Sequence, residues 1–178
     1  MSDRRGVLYV IVCAAGSAAR LPELLTEARG RGWDVCVVAT PAAEEFLDVP
    51  VIEEITGRPV FSRYRRPDEP RRLPDPDAVV VAPATYNTIN KWAQGIADNY
   101  ALGLLAEWVP TGIPAGVLPF VNTRLAANPV FESSLAYLRA MGVRVIYGPG
   151  EFEPDPPRGP WAEPPWPLVL DAVERDRR

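Results

Sequence analysis

The chain has 178 residues, 47% apolar and 24% charged, with a net charge of -4, which suits one soluble globular domain with a self-sufficient core. No basic stripe accompanies that charge, which argues against a nucleic-acid partner, and no apolar run approaches the roughly 20 residues that span a bilayer. Histidine is absent altogether, which excludes His-dependent triads, His-ligated metals and imidazole acid–base catalysis.

Residues 7–14 (VLYVIVCA) read as a central strand. The short start before it sets the expectation of no secretory leader and a cytoplasmic protein. Ala15, Gly16, Ser17 and Ala18 form a turn of small residues, where a ligand approaches the backbone closely. A helix over 20–31 follows, with Leu21, Leu24, Leu25 and Ala28 on one face. The dinucleotide fingerprint GxGxxG is absent, so the turn suits either a phosphate or a compact crossover. Residues 33–39 (WDVCVVA) are a second strand. Thr40 and Pro41 open a short helix, with Thr40 as N-cap or as a ligand-facing hydroxyl. Alternating strand, turn and helix predicts a parallel α/β sheet with right-handed crossovers. Cys13 and Cys36 lie in strand patterns without metal or redox spacing, and read as buried free thiols.

Residues 49–52 predict a short edge strand. From 56 to 76 the pattern breaks into an irregular loop carrying five prolines, with arginines at 63, 65, 66, 71 and 72 that read first as a solvated surface. Residues 78–82 (AVVVA) have the apolar run of a fully buried strand, ended by Pro83. Ala84, Thr85, Tyr86, Asn87 and Thr88 then turn into a long helical pattern through Ile89, Trp92, Ile96 and Tyr100. Such a junction presents backbone N–H groups and two hydroxyls at the carboxyl edge of a parallel sheet. Gly95 inside that pattern predicts close packing or a local break. A strand over 113–118, a helix opened by Asn128 and Pro129, a strand over 143–147, an irregular proline-rich segment over 148–167 and a helix over 168–175 complete a single domain.

The block Ala82-Pro83-Ala84-Thr85-Tyr86-Asn87-Thr88, continued by Lys91 and by Gly95-Ile96-Ala97-Asp98-Asn99, resembles a motif of the homo-oligomeric FMN-binding cysteine decarboxylases. Gly16-Ser17-Ala18-Ala19 is similar to their first phosphate turn and Thr40-Pro41-Ala42-Ala43 to their second-strand motif. Pro119-Phe120-Val121-Asn122 with Asn128-Pro129 resembles their PAMN motif and its downstream Asn-Pro, and Trp161-Ala162-Glu163-Pro164 the end of their substrate-covering segment. The resemblance covers about 6–164. It implies a single Rossmann-like, flavodoxin-like α/β domain, a mostly parallel sheet flanked by helices, binding FMN in a homotrimer or an assembly of trimers. It places Gly16, Ser17, Thr40, Ala84, Thr85 and Thr88 around the FMN phosphate and ribityl chain, with Asn87 near the flavin. Asn122 would hold the carboxylate of a small-molecule or peptide-derived acid.

The departures concern catalysis. The family places a histidine shortly before the third core strand, where this chain has Glu69-Pro70-Arg71-Arg72. Arginine stays protonated and cannot act as that base, although Arg71 or Arg72 can contact an anion. Phe120 and Val121 replace the alanine and methionine of PAMN, and residues 148–160 lack the clamp cysteine. The expectation is a divergent FMN-dependent oxidoreductase or decarboxylase, a lyase-like flavoprotein without the usual histidine. Two alternatives are a non-catalytic FMN-binding partner protein and an α/β protein that holds another phosphorylated ligand.

Overall fold

A computed structural model describes residues 5–174, so the first four residues and the expected helix end at Arg175 lie outside the described residues. Five strands form one all-parallel sheet: β1 (Gly6–Val12), β2 (Trp33–Ala39), β3 (Ala78–Ala84), β4 (Ala115–Pro119) and β5 (Arg144–Val145), in the order β2-β1-β3-β4-β5. Their β-branched runs are buried on both faces, as a parallel sheet requires. Val10 illustrates the register, facing Val37 on one side and Val80 on the other.

One face carries α1 (Leu21–Gly30), α2 (Val49–Thr56) and α7 (Trp166–Glu174), whose Leu24, Leu25, Ile52, Val169 and Val173 pack on Leu8, Val10 and Val35. The other carries α3 (Tyr86–Ala93), α4 (Tyr100–Trp108) and α6 (Pro129–Ala140), which set Ile89, Leu102, Leu105 and Phe131 against Tyr9, Ile11 and Val79. Arg31 ties α7 to the α1–β2 turn through Glu27 (2.6 Å), Asp171 (2.7 Å) and Glu174 (3.2 Å).

Three expectations are corrected. Residues 49–52 are helical and not an edge strand, because Asp48 accepts the Val51 N–H at the start of α2 and Gly57 closes its end at φ +68°. Those caps outweigh the strand preference of Val49, Val51 and Ile52. Pro83 lies within β3 and does not end it. The register with β4 shifts between Val81 and Ala84, where proline has no N–H to give the ladder. Of the two outcomes expected at Gly95 the local break is the one found: the helical pattern stops there (φ +72°), and Asn99 caps a new helix by accepting the Leu102 N–H, so Ile96 and Ala97 lie exposed in the break. The strand expected over 143–147 shortens to the two residues of β5. An additional short helix, α5 (Thr123–Ala126), precedes α6.

The loop over 57–77 has no helix or extended strand. It leaves β2 at Phe61, whose N–H donates to Val37 O and whose O accepts from Ala39 N. It crosses the face shared with α4 and rejoins the sheet at Asp77, beside Val7 at the opposite end of β1. Tyr64 anchors the crossing on α4, edge-on to Tyr100 at 5.0 Å, with its hydroxyl over Gly103, where a Cβ would lie 2.0 Å from the oxygen. Gly103→Ala is therefore expected to expel Tyr64. Helix propensity changes by about 1 kcal/mol in alanine's favour, so the melting temperature should move little. Tryptic cleavage within the loop should accelerate severalfold, and an unchanged rate would show that Tyr64 does not anchor it.

Candidate functional site

The chain leaves β1 towards β2 over one face of the sheet and leaves β3 towards β4 over the other, which makes the gap between the carboxyl ends of β1 and β3 a topological switch point. Three turns converge there. Thr40 N donates to Val12 O at 2.9 Å, joining the turn after β2 to the end of β1, and Cys13 N donates to Pro83 O at 3.1 Å, joining β1 to β3.

Gly16 opens a short 3₁₀ turn (Gly16–Arg20) and lies exposed, with nothing within 4 Å of where a Cβ would project. Beside it, Ser17 is buried and its Oγ has no hydrogen-bond partner among the described residues. A buried hydroxyl without a partner costs about 1–3 kcal/mol, so its presence points to a ligand that satisfies it. Thr40 is also buried, and its side chain makes no capping bond to the 3₁₀ segment Pro41–Phe46. Of its two expected roles, the cap is absent and the hydroxyl remains available.

The turn after β3 is more committed to structure. Thr85 caps α3, accepting the Thr88 N–H at 3.4 Å, and its hydroxyl donates to Thr88 Oγ1 at 3.2 Å. Cys13 Sγ donates to the same oxygen at 3.3 Å, leaving Thr88 its own proton to give. Burial pushes the Cys13 thiol up, partly offset by the Thr88 contact, and burial raises Cys36 to about 11. Neither is a ready thiolate. Ala84 is fully buried and offers the site only backbone, with its O accepting from Phe120 N at 2.8 Å. Asn87 is exposed on the first turn of α3 and makes no hydrogen bond among the described residues.

Asn122 follows β4 at the same edge. Its Oδ1 accepts from Arg124 N at 3.1 Å and Leu125 N at 3.0 Å, capping α5. With the oxygen committed, the amide NH₂ is the group left to donate. The proline-rich segment packs against this turn: Thr123 N donates to Asp155 O at 2.9 Å, and Phe120 contacts Phe152 (6.0 Å) and the half-exposed Trp161 (5.9 Å). Arg20 reaches Glu163 at 3.4 Å, linking the segment to the Ser17 turn, and holds the Glu23 carboxyl below its ordinary range. Phe152 and Asp155 went unnoticed in the sequence, where a run of prolines and acids carries no periodic signal.

Arg71 and Arg72 are not brought to this edge of the same chain. They precede Leu73 and Pro74 on the part of the loop that returns towards the start of β1, where Pro74 O accepts from the Tyr9 hydroxyl at 2.5 Å. Arg71 pairs with Asp75, and the Arg72 charge acts on the Glu69 carboxyl.

The Flavoprotein family model matches residues 2–175. The chain belongs to the Flavoprotein family. Its similarity to a probable phosphopantothenoylcysteine decarboxylase of Streptococcus mutans is 31% identity over 139 residues, 75% of each chain. With the coenzyme A biosynthesis bifunctional protein CoaBC of Escherichia coli it shares 29% identity over 151 residues, which is 81% of this flavoprotein and 36% of that longer protein. The cypemycin decarboxylase CypD has 25% identity and a TM-score of 0.72, covering 95% of this chain and 92% of its own. The FMN-dependent cysteine decarboxylase SpaF has a TM-score of 0.74 at 22% identity, over 97% and 98% of the two chains, and so shares the fold. The flavodoxin-like reading of the sheet holds in this flavoprotein.

Proposed function

We propose that this flavoprotein binds FMN at the β1–β3 switch point and acts as a divergent decarboxylase or oxidoreductase on a small or peptide-derived acid. The observation that carries the reading is Ser17, a buried hydroxyl without a partner among the described residues, on the turn where an anion meets backbone N–H groups. Ser17 and Thr40 give hydrogen bonds to the phosphate, with Gly16 keeping the approach open and the Thr85–Thr88 turn completing the cradle. When bound, the flavin supplies a two-electron acceptor. The protein's task is to hold and orient the acid. The Asn122 amide donates to the substrate carboxylate, and Phe120, Phe152 and Trp161 form a wall that keeps water from it. Asn87, exposed beside the turn, is the polar group nearest in sequence to the cradle that has no other bond to make.

The absence of histidine favours a second reading, a flavoprotein that binds FMN and a partner without turnover, because no imidazole is present to move a proton. The expected homotrimer is supported by exposed Ile96, Val130 and Tyr137 and is checked by light scattering. Among the described residues no helix is long and apolar enough to cross a membrane.

The test is the visible spectrum of the purified protein and the mass of the ligand released on heating. Flavin bands with an FMN mass are expected. A colourless protein that takes up no added FMN overturns the reading. Turnover separates the two versions, read as loss of carbon dioxide from thiol acids or cysteine-ended peptides. Asn122→Asp keeps the oxygen that caps α5 but removes the amide donor. A hydrogen bond to a charged group contributes about 1.5–3 kcal/mol, so kcat/KM is expected to fall at least ~10-fold at constant flavin content. An unchanged kcat/KM removes Asn122 from the site.

A further inference from the structure

Three polar side chains meet beneath the switch-point turns: Cys13, directly after β1, and Thr85 and Thr88 at the start of α3. The backbone of Cys13 is fixed against β3, because its N–H donates to Pro83 O at 3.1 Å. Cys13 and Thr88 are both buried. Cys13 Sγ donates to Thr88 Oγ1 at 3.3 Å, and Thr85 Oγ1 donates to the same oxygen at 3.2 Å. Thr85 Oγ1 in turn accepts the Thr88 N–H at 3.4 Å.

A hydroxyl has one proton to give and two lone pairs to fill. Two donors fill both pairs on Thr88, so its remaining capacity is to donate, and no acceptor takes that proton among the described residues. A thiol can play this part only while it is protonated. Burial pushes the Cys13 thiol up, partly offset by contacts from Thr88 and Thr85, and so keeps the S–H in place near neutral pH. A buried cysteine is commonly no more than a small apolar filler. Cys36 fits that description, packed in the same apolar cluster with no hydrogen bond among the described residues. Cys13 differs because its sulfur meets a turn of the cradle.

We propose that Cys13 is a positioning residue of the phosphate cradle, whose S–H occupies Thr88 and so commits the Thr88 proton to the ligand. This role rests on FMN binding at the switch point and adds a group that acts on the cofactor only through Thr88. Valine at position 13 would fill the strand end as well but would leave the Thr88 hydroxyl free to turn away.

The experiment is FMN titration by fluorescence quenching of Cys13 and Thr88 variants, with infrared spectroscopy of the S–H stretch in the cofactor-free protein. Cys13→Ala is expected to weaken FMN binding about 3–10-fold, the loss of one neutral hydrogen bond. Cys13→Ser keeps a donor and should bind within about twofold of the parent. In a Thr88→Val background, Cys13→Ala should add less than about twofold. Cys36→Ala, which removes the other of the two cysteines, should leave FMN affinity unchanged. The Cys13 band is isolated as the difference between the parent and Cys13→Ser spectra, and it should move to higher wavenumber in Thr88→Val as the thiol loses its acceptor. Unchanged affinity in Cys13→Ala, equal loss in Cys13→Ser, an undiminished effect of Cys13→Ala beside Thr88→Val, or an S–H band that ignores Thr88→Val overturns the proposal. A parent protein that takes up no FMN overturns the cofactor reading and this role together. The infrared comparison, made without cofactor, separates that outcome from a missing thiol bond.

Discussion

Ser17→Ala combined with Thr40→Val is expected to weaken FMN binding by about 10²–10⁴-fold, two hydrogen bonds to a charged group at about 1.5–3 kcal/mol each. The same variant should unfold no more easily than the parent when the cofactor is absent. Among the described residues Ser17 Oγ is buried without a partner and Thr40 makes no capping bond, so neither hydroxyl holds this fold together. Removing a buried, unsatisfied hydroxyl takes away a desolvation cost and so favours the cofactor-free protein. Opposite signs for cofactor affinity and cofactor-free stability are what a ligand-facing pair produces. A packing defect lowers both. The check is FMN titration by fluorescence quenching beside thermal melts of the cofactor-free protein, and equal FMN affinity in parent and variant would remove both residues from the phosphate site.

Phe131→Ala should destabilise the protein by about 3–5 kcal/mol, the usual range for emptying a buried aromatic position. Phe131 is fully buried, stacks on Tyr86 at 5.9 Å and meets the Tyr147 ring edge-on at 5.5 Å. Its loss therefore leaves a cavity between α3 and α6 and two rings without their partner. At about 2–4 °C per kcal/mol for a chain of this size, the melting temperature falls by roughly 6–20 °C. Tyr86 is the first residue of α3, so the damage reaches the Thr85–Thr88 turn and FMN affinity should drop with stability. Ser133→Ala, at an exposed position on the same helix, is the control and should melt within a degree or two of the parent. A Phe131→Ala melt equally close to the parent would mean that the α3–α6 contact contributes little.

The parts of the fold read correctly from sequence are those fixed by local pattern. The valine-rich runs of β1, β2 and β3 specify a buried parallel sheet, and the small residues after β1 and β3 mark the turns at its switch point. Asn128 and Pro129 placed the start of α6 because capping chemistry is local, and Asn128 does accept the Val130 N–H at 3.0 Å. The failures occurred where a signal two or three residues away prevailed. Val49, Val51 and Ile52 look like a strand until Asp48 and Gly57 are recognised as the two ends of a helix. Long-range placement was not legible. Nothing in the spacing of Arg71 and Arg72 tells that the loop carries them back towards the start of β1, since the path depends on Phe61 joining β2 and Asp77 joining β1. The motif around Asn122 points to a substrate, yet the Asn122 oxygen is taken by α5, a helix too short to leave a periodic trace.

The loop over 57–77 joins the sheet at Phe61 on β2 and Asp77 on β1 and rests between them on Gly103 and Tyr9, while the switch-point turns are made by other segments of the chain. It is thus an exchangeable cassette. Splicing a different crossing between those two attachment points would reshape that face of the sheet while leaving the turns after β1 and β3 of the same chain as they are.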